Sequence, residues 1–308
     1  MSLDDTQLEI REGVELSEYE KTLQMYQTRW GRLKLTLRRL WKNKAAILGL
    51  AVVVMMVASC TLAPLLTPYD PLVMNIPGRL SPSSSKHLLG TDQFGRDILS
   101  RILYGGRCSL STGIVSVFLG LIPGIFLGLI AGFFRGRVDS IIMRGVDIMM
   151  AIPTILLALL IVTVLGPSLM STMIAVGIGG IPSMIRLVRG QVFSIREEEY
   201  IEAAHSIGAR DFRIIIKHIL PNCAAAVIVV GTLRLPSAII MAASLSFIGL
   251  GVQAPTPEWG AMIASGRHFL VTSWWICTFP GLAIFLAVLG LNMFGDGLRD
   301  ALDPKLKS

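Results

Sequence analysis

Long apolar stretches recur along this chain and constrain its fold more than any other feature. Six of them can be drawn, at about 45–66, 108–134, 148–166, 168–186, 220–250 and 276–295. Each is long enough to cross about 30 Å of hydrocarbon as an α-helix. Charged residues make up 16% of the sequence, whereas soluble proteins average about 25%. The sequence therefore predicts an all-α polytopic membrane protein with six transmembrane helices.

The basic residues predict the orientation of these spans. Segments 1–44, 135–144, 186–217 and 298–308 hold 21 of the 28 Lys and Arg residues. Basic loops are retained in the cytoplasm. Both termini are therefore expected to be cytoplasmic.

The chain divides into a cytoplasmic N-terminal segment, 1–44, and a transmembrane domain, 45–308. The stretch from Trp30 to Trp41 alternates basic and apolar residues with a helical period. A helix of this kind can lie on an anionic membrane surface. An equally good interpretation is that its positive charge only anchors the first span.

Four glycines follow one another at intervals of four in the second span: Gly120, Gly124, Gly128 and Gly132. This spacing places them on one stripe of the helix, where a second helix can approach closely. The stripe predicts helix packing. A passage for substrate beside the small residues is the alternative.

The loop between the first two spans is predicted to contain a short amphipathic helix that begins near Ile98. Asp97 and Arg101 have the i,i+4 spacing of an ion pair. Gly105 and Gly106 are expected to end this helix before the second span begins.

A polar loop, 187–219, separates the fourth and fifth spans and is too long for a simple connection. The run Glu197–Glu199 suits the first turn of a helix, and Gly208 suits its end. Asp211 is expected to cap a second helix, and Pro221 to begin or kink the fifth span. The result is a helix–glycine–helix elbow, which can transmit a rotation into the membrane.

Several classes of function are excluded by missing motifs. The sequence has no GxxxxGK[ST] loop for phosphates, no HExxH and no CxxC. Asp139 and Asp147 lie near the start of the third span, where they are expected to be boundary residues rather than a proton relay of an ion-coupled transporter. No catalytic residue, metal site or cofactor is expected in this chain.

Arg234 is the one basic residue that lies away from the ends of a predicted span. A charge there is costly and usually faces protein or water. Arg234 is a candidate translocation-path residue that attracts a substrate carboxylate. The alternative is that it pairs with an acidic residue of this chain or of a partner.

Three groups of residues carry a resemblance to a known family. Glu202-Ala203-Ala204, followed by Gly208 and by Ile219-Leu220-Pro221, resembles the Glu-Ala-Ala loop of binding-protein-dependent ABC importer permeases. The segments His87–Asp92, Gly95–Asp97 and Pro255–Gly260 resemble the C-type subunits of the dipeptide, oligopeptide and nickel group. The resemblance extends over nearly all of 28–308.

The resemblance implies a type I ABC importer permease fold in the bacterial inner membrane. The implied partners are a homologous permease subunit, two ATPase subunits that bind ATP and Mg, and a periplasmic or lipid-anchored substrate-binding protein. ATP would be hydrolysed by those partners and not by this chain. The implied coupling residues are Glu202, Ala203, Ala204, Gly208, Leu220 and Pro221.

The cargo expected from the resemblance is a di- or oligopeptide. A nickel or other metal chelate, or glutathione, is the alternative within the same class of importer. An ion-coupled secondary transporter is the alternative of a different class.

Overall fold

The computed structural model describes residues 29–302, with side chains from Thr36 onward, as a helical bundle. The predicted features within 1–28 and 303–308 lie outside the described residues. The α-helices are α1 (Arg29–Lys42), α2 (Lys44–Thr61), α3 (Ala63–Leu66), α4 (Ile98–Phe134), α5 (Gly136–Ala151), α6 (Thr154–Leu165), α7 (Leu169–Arg196), α8 (Glu199–Ser206), α9 (Asp211–Ile214), α10 (Leu220–Phe247), α11 (Trp259–Gly266) and α12 (Trp275–Leu302).

The predicted spans correspond to long apolar helices of the described chain. Five are long and apolar enough to cross a membrane: α2, α4, α7, the run Asp211–Phe247 and α12. The sixth consists of α5 and α6 together, which are bent by 92° with respect to each other. The basic helix predicted before the first span is present as α1, and Asn43 caps the start of α2 by accepting from the Ala46 N–H at 3.2 Å.

The third span differs from its prediction because the chain bends at Ile152 and Pro153. Ile152 has an extended backbone, with φ −94° and ψ 127°, and the residue before a proline is driven toward this conformation. Only Thr154–Leu165 continues as α6. Twelve residues span roughly 18 Å as a helix, which is less than a bilayer core, so α6 alone does not have the length of the predicted third span.

The second span also differs, because α4 is one helix of 37 residues. The prediction that Gly105 and Gly106 end a separate helix is wrong. A Cβ atom on Gly106 would lie 2.3 Å from Cys60 Sγ and 2.8 Å from the Trp259 ring. These glycines therefore allow α2 and α11 to pack closely against α4.

The predicted glycine stripe of α4 packs against α7. A Cβ atom would lie 2.6 Å from Met184 Cβ at Gly124, 2.7 Å from Val188 Cβ at Gly128 and 2.6 Å from Val192 Cβ at Gly132. Van der Waals contact between close backbones stabilises helix pairs where lipid removes the hydrophobic drive. The packing role of the stripe is thus confirmed.

The two ends of the bundle can be distinguished by the helices and loops that meet there. The C-terminal ends of α4 and α7 meet α8 at the elbow end. The start of α4 meets α11 and the loop 67–97 at the opposite end. Gly297 near the end of α12 lies against Ala46 at the start of α2. The first predicted span, α2, therefore begins at the elbow end and the last, α12, ends there, as an even number of spans predicts.

The loop 67–97 is held by buried polar groups. The Asp97 carboxylate accepts from the Ser100 N–H at 2.7 Å, which caps α4, and contacts His87 Nδ1 at 2.9 Å. Arg101 instead lies 3.6 Å from Asp92 and donates to the Pro71 carbonyl at 2.8 Å. The predicted Asp97–Arg101 pair is wrong because the cap uses the carboxylate.

Candidate functional sites: the elbow and a central cavity

The predicted elbow helix is present as α8. It begins at Glu199, after Glu198 as N-cap, and carries Glu199 and Glu202 in its first turn. Carboxylates there interact favourably with the positive end of the helix dipole. Glu197 lies just outside α8 and pairs with Arg135 at 2.9 Å, which joins the elbow to the start of α5. The predicted polar loop is therefore shorter than 187–219, because α7 continues to Arg196.

The two faces of α8 differ in exposure. Ile201 and Ala204 are buried against the bundle, whereas Glu202 and Ala203 are exposed. Of the residues that the resemblance assigns to coupling, Ala204 thus lies on the inner face. Its small side chain lets α8 lie close to the helices of its own chain.

Gly208 forms the turn after α8. Its φ is +80°, a conformation that costs an L-residue with a side chain roughly 1–2 kcal/mol. The Gly208 N–H donates to the His205 carbonyl at 2.9 Å, and the Ala209 N–H donates to the Ala204 carbonyl at 3.1 Å. The predicted role of Gly208 as the end of the helix is confirmed.

The second arm of the elbow runs without a break into the fifth span. Arg210 is the residue that precedes α9, and Asp211 is its first residue, so the prediction of Asp211 as the capping residue is wrong. A π-helical turn, Ile215–Ile219, joins α9 to α10. Leu220 is half-buried, and Pro221 is exposed in the first turn of α10, directly after the π-helical turn.

The inner face of the elbow belongs to one apolar cluster with α4 and α7. Ile201, Ala204 and the buried Ile214 and Ile219 pack with residues of the glycine-stripe pair, including Phe133, Val188 and Val192. Close-packed interiors transmit displacements because they contain few voids. A movement of α8 would therefore reach the α4–α7 pair directly.

Side-chain contacts attach α8 to α10 on one side and to α4 on the other. The Asn222 side chain of α10 donates to the Tyr200 hydroxyl at 3.1 Å. Partial burial raises the pKa of the Tyr200 phenol above its usual value. On the other side the His205 ring of α8 stacks on Phe133 of α4, with centroids 6.2 Å apart. Just before α8, the Arg196 guanidinium of α7 donates to the Phe133 carbonyl at 2.5 Å.

Two apolar side chains of the elbow face outward. Ile207 is 86% exposed and Phe212 is 75% exposed, on either side of the Gly208 turn. Neither residue is among those predicted from the sequence to have a role. Two large apolar residues flanking a turn in a polar loop were the signal that could have identified them, since such residues on a surface often mark contact with a partner.

Arg234 lies in α10 beside a cavity of about 90 Å³ at the middle of the bundle. The cavity is lined by four helices, α4, α6, α7 and α10, and opens to the surface where Thr154 and Ser237 are exposed. Its polar lining residues are Ser116, Thr154, Arg234 and Ser237. The Arg234 guanidinium donates to the Ser183 hydroxyl of α7.

The predicted acidic partner of Arg234 is not found in this chain between residues 36 and 302. Among those residues, no carboxylate lies within 4.0 Å of its guanidinium. Its Nε atom and the Ser116 hydroxyl are both buried without a hydrogen-bond partner. Asp139 and Asp147, the other charges near the third span, pair with Arg189 and Arg186 of α7.

Side chains that could hold a metal are not grouped in the described part of the chain, where no three His, Cys, Asp or Glu residues converge. The four cysteines are free thiols. Cys60, Cys223 and Cys277 are buried and Cys108 is half-buried, as expected for small residues within spans.

Comparison with known proteins decides the family. Residues 124–308 match the family described as binding-protein-dependent transport system inner membrane component. The chain belongs to this family. Residues 31–82 of the permease also match the N-terminal transmembrane domain of oligopeptide transport permease C.

Curated relatives are similar to the permease over most of its length. A dipeptide transport system permease protein of Alkalihalophilus pseudofirmus is 51% identical over 271 residues, which cover 88% of this chain and 89% of that protein. A glutathione transport system permease protein of Pectobacterium atrosepticum is 46% identical over 272 residues, which cover 88% and 90%. These relatives place the permease among C-type subunits of ABC importers.

A solved structure supports the fold. A methionine ABC transporter in an inward-facing conformation superimposes with a TM-score of 0.55 and 19% identity, over 66% of the permease and 96% of the other chain. The permease thus has the type I ABC importer fold and is a multi-pass protein of the inner membrane. Its family implies ATPase and substrate-binding partners in separate subunits.

Proposed function

We propose that this permease forms the translocation pathway for di- or oligopeptides in an ATP-driven importer. The observation that carries the proposal is the 51% identity to a dipeptide transport system permease protein over nearly the whole of both chains. Family membership favours this reading over an ion-coupled secondary transporter, as does the pairing of Asp139 and Asp147 with arginines.

The importer would consist of this chain, a homologous permease subunit, two ATPase subunits and a periplasmic or lipid-anchored substrate-binding protein. ATP and Mg would be bound by the ATPase subunits. The elbow end would face the cytoplasm. The location of Arg135, Arg186, Arg189, Arg196 and Arg213 toward that end supports this orientation.

Coupling would take place at the elbow. Its outward-facing residues Glu202, Ala203, Ile207 and Phe212 would dock on an ATPase subunit. Its inner face would pass the movement to α4 and α7 through the shared apolar cluster. Ala204, Gly208, Leu220 and Pro221 would shape the elbow rather than touch the partner.

The cargo has two alternatives within the same class of importer. The similarity to a glutathione permease favours glutathione, which is itself a small peptide. A nickel or other metal chelate is less favoured, since the described residues hold no cluster of metal ligands, although a chelate could pass without direct coordination.

The proposal is tested with the complete importer reconstituted in proteoliposomes. Uptake of a labelled dipeptide should require ATP, Mg and the binding protein. Excess unlabelled dipeptide should compete, and glutathione and a nickel chelate are tested as competitors in parallel. Uptake of glutathione or the chelate without uptake of any di- or oligopeptide would contradict the peptide assignment.

A further inference from the structure

The central cavity has the electrostatic character of an anion site. Arg234 contributes a positive charge with an unpaired, buried Nε. Ser116, only 1% exposed, contributes a hydroxyl without a partner. Groups of this kind are rarely left unpaired in a folded protein, because burying a polar group without a hydrogen-bond partner carries a desolvation penalty.

The start of α6 adds a third contribution. Thr154 is the first residue of this helix and lines the cavity, and the preceding Pro153 offers no side-chain cap. The free N–H groups at a helix start carry a partial positive charge and favour anions. After the bend at Ile152 and Pro153, this helix start lies at the exposed side of the cavity.

Negative charge is missing from the cavity wall. Of its described lining residues, none is acidic, and apart from Arg234 the lining consists of glycine, hydroxyl and apolar side chains. A positive charge inside a span requires an anion or water to be tolerated. The cavity wall therefore supplies hydrogen-bond donors, and a negatively charged acceptor has to come from another molecule.

The cavity has room for such an acceptor. Its volume of about 90 Å³ can hold several waters or one carboxylate group. Ser237 lines the cavity and is exposed on the surface of the described chain, so the remainder of a larger molecule can extend outward past it.

We propose that the cavity binds the terminal carboxylate of the peptide during its passage. Arg234 supplies the charge, and the Ser116 hydroxyl and the start of α6 donate the further hydrogen bonds. This inference rests on the proposed peptide transport. It assigns to the permease a selection for free carboxyl ends that is separate from any selection by the binding protein.

The site is tested by charge-selective labelling of a cysteine placed in the cavity. In an importer whose permease lacks its own four cysteines, Ser237→Cys is reacted with a sulfonate-bearing and a trimethylammonium-bearing thiosulfonate. Ser85→Cys, on an exposed loop at the opposite end, gives the reference rates. With Arg234 present, the normalised anion-to-cation rate ratio should be roughly tenfold higher than with Arg234→Gln.

Protection by peptides tests the carboxylate itself. A free-acid dipeptide should slow the labelling of Ser237→Cys, and the same dipeptide with a C-terminal amide should not. Ser116→Ala removes an unpaired hydroxyl, so assembly should be unchanged while protection by the free acid weakens. Arg234→Lys should retain the charge preference even if Arg234→Gln impairs assembly.

The outcomes separate this inference from the proposed function. Absence of labelling, an unchanged rate ratio in Arg234→Gln, or equal protection by acid and amide would each overturn the carboxylate site. An unchanged rate ratio is the result expected if a carboxylate of the partner permease occupies the cavity and pairs with Arg234. Labelling needs neither ATP nor the binding protein, so charge-selective labelling in an importer that fails to transport peptides would contradict the cargo and not the anion site.

Discussion

Arg189 of α7 and Asp139 of α5 form an ion pair with two hydrogen bonds, Nε to Oδ1 at 2.5 Å and Nη2 to Oδ2 at 2.6 Å. The pair is largely shielded, with 28% and 15% of the two side chains exposed. The Arg186–Asp147 pair joins the same two helices through a single bond, with 46% and 60% exposed. The first pair is therefore the stronger attachment of the bent third element to the bundle.

Asp139→Asn should lower the free energy of unfolding by about 1–3 kcal/mol, because a charged acceptor of two hydrogen bonds is lost. Asp147→Asn is the matched control and should cost about 0–1 kcal/mol, as exposed pairs do. Thermal unfolding of the detergent-solubilised importer measures both. Equal losses would show that the shielding of Asp139 has no energetic consequence.

Gly128→Ala should destabilise the α4–α7 pair by about 1–3 kcal/mol, a typical cost of overpacking. The added methyl would meet Val188 Cβ at 2.7 Å and the Ile185 carbonyl at 3.0 Å. Gly190→Ala is the control in α7, since nothing lies within 4 Å of its added Cβ. That change should be neutral or stabilising because alanine is the better helix former. Thermal unfolding is the measurement, and a neutral Gly128→Ala would contradict the close packing.

The glycine stripe and the elbow turn were predictable because their signals are local. A spacing of four places glycines on one helix face, and a glycine after a short helical pattern marks its end. The prediction that Gly105 and Gly106 end a helix is wrong because glycine also permits close packing within a helix. Whether a glycine ends a helix or receives a neighbour depends on distant residues, here Cys60 and Trp259.

The surroundings of Arg234 could not be read from the sequence for the same reason. Its position inside a span indicated a costly charge, but Ser116, Thr154 and Ser183 come from three other helices. Their meeting depends on the 92° bend between α5 and α6. A proline within a span predicts a kink without giving its size.

Asp92→Asn should lower the free energy of unfolding by about 3–5 kcal/mol, the usual effect of removing one partner from a buried ion pair. The Asp92 carboxylate accepts from Arg96 Nε at 2.7 Å, lies 3.6 Å from Arg101 Nε and is 4% exposed. Without it, two buried guanidinium groups face each other. Asp70→Asn is the control, since Asp70 is an exposed carboxylate of the same loop. Thermal unfolding should separate the two variants, and a cost below about 1 kcal/mol for Asp92→Asn would contradict the buried network.

Gly208→Ala should reduce coupling more than it reduces stability. A side chain at φ +80° costs roughly 1–2 kcal/mol, and the turn can relax only by changing the angle between α8 and α9. Peptide uptake per ATP hydrolysed should therefore fall, while the amount of assembled importer changes little. Gly145→Ala is the control, because Gly145 is exposed in α5 with a helical backbone. Equal uptake per ATP in both variants would show that the turn geometry is not needed for coupling.

Phe212→Ala should weaken the attachment of the ATPase subunit to the elbow. Phe212 is 75% exposed in the permease alone, and burying a side chain of this size on docking contributes about 1.5–3 kcal/mol. The loss corresponds to a roughly 10- to 150-fold weaker affinity. Leu88→Ala is the matched control, since Leu88 is a 63% exposed apolar residue at the opposite end. Affinity is measured by titrating the purified ATPase onto the permease pair in nanodiscs. A weaker affinity in Leu88→Ala, or an unchanged affinity in Phe212→Ala, would place the docking surface elsewhere. A loss of affinity in Phe212→Ala alone would show that the docking surface extends from the Glu202 side of α8 across the Gly208 turn.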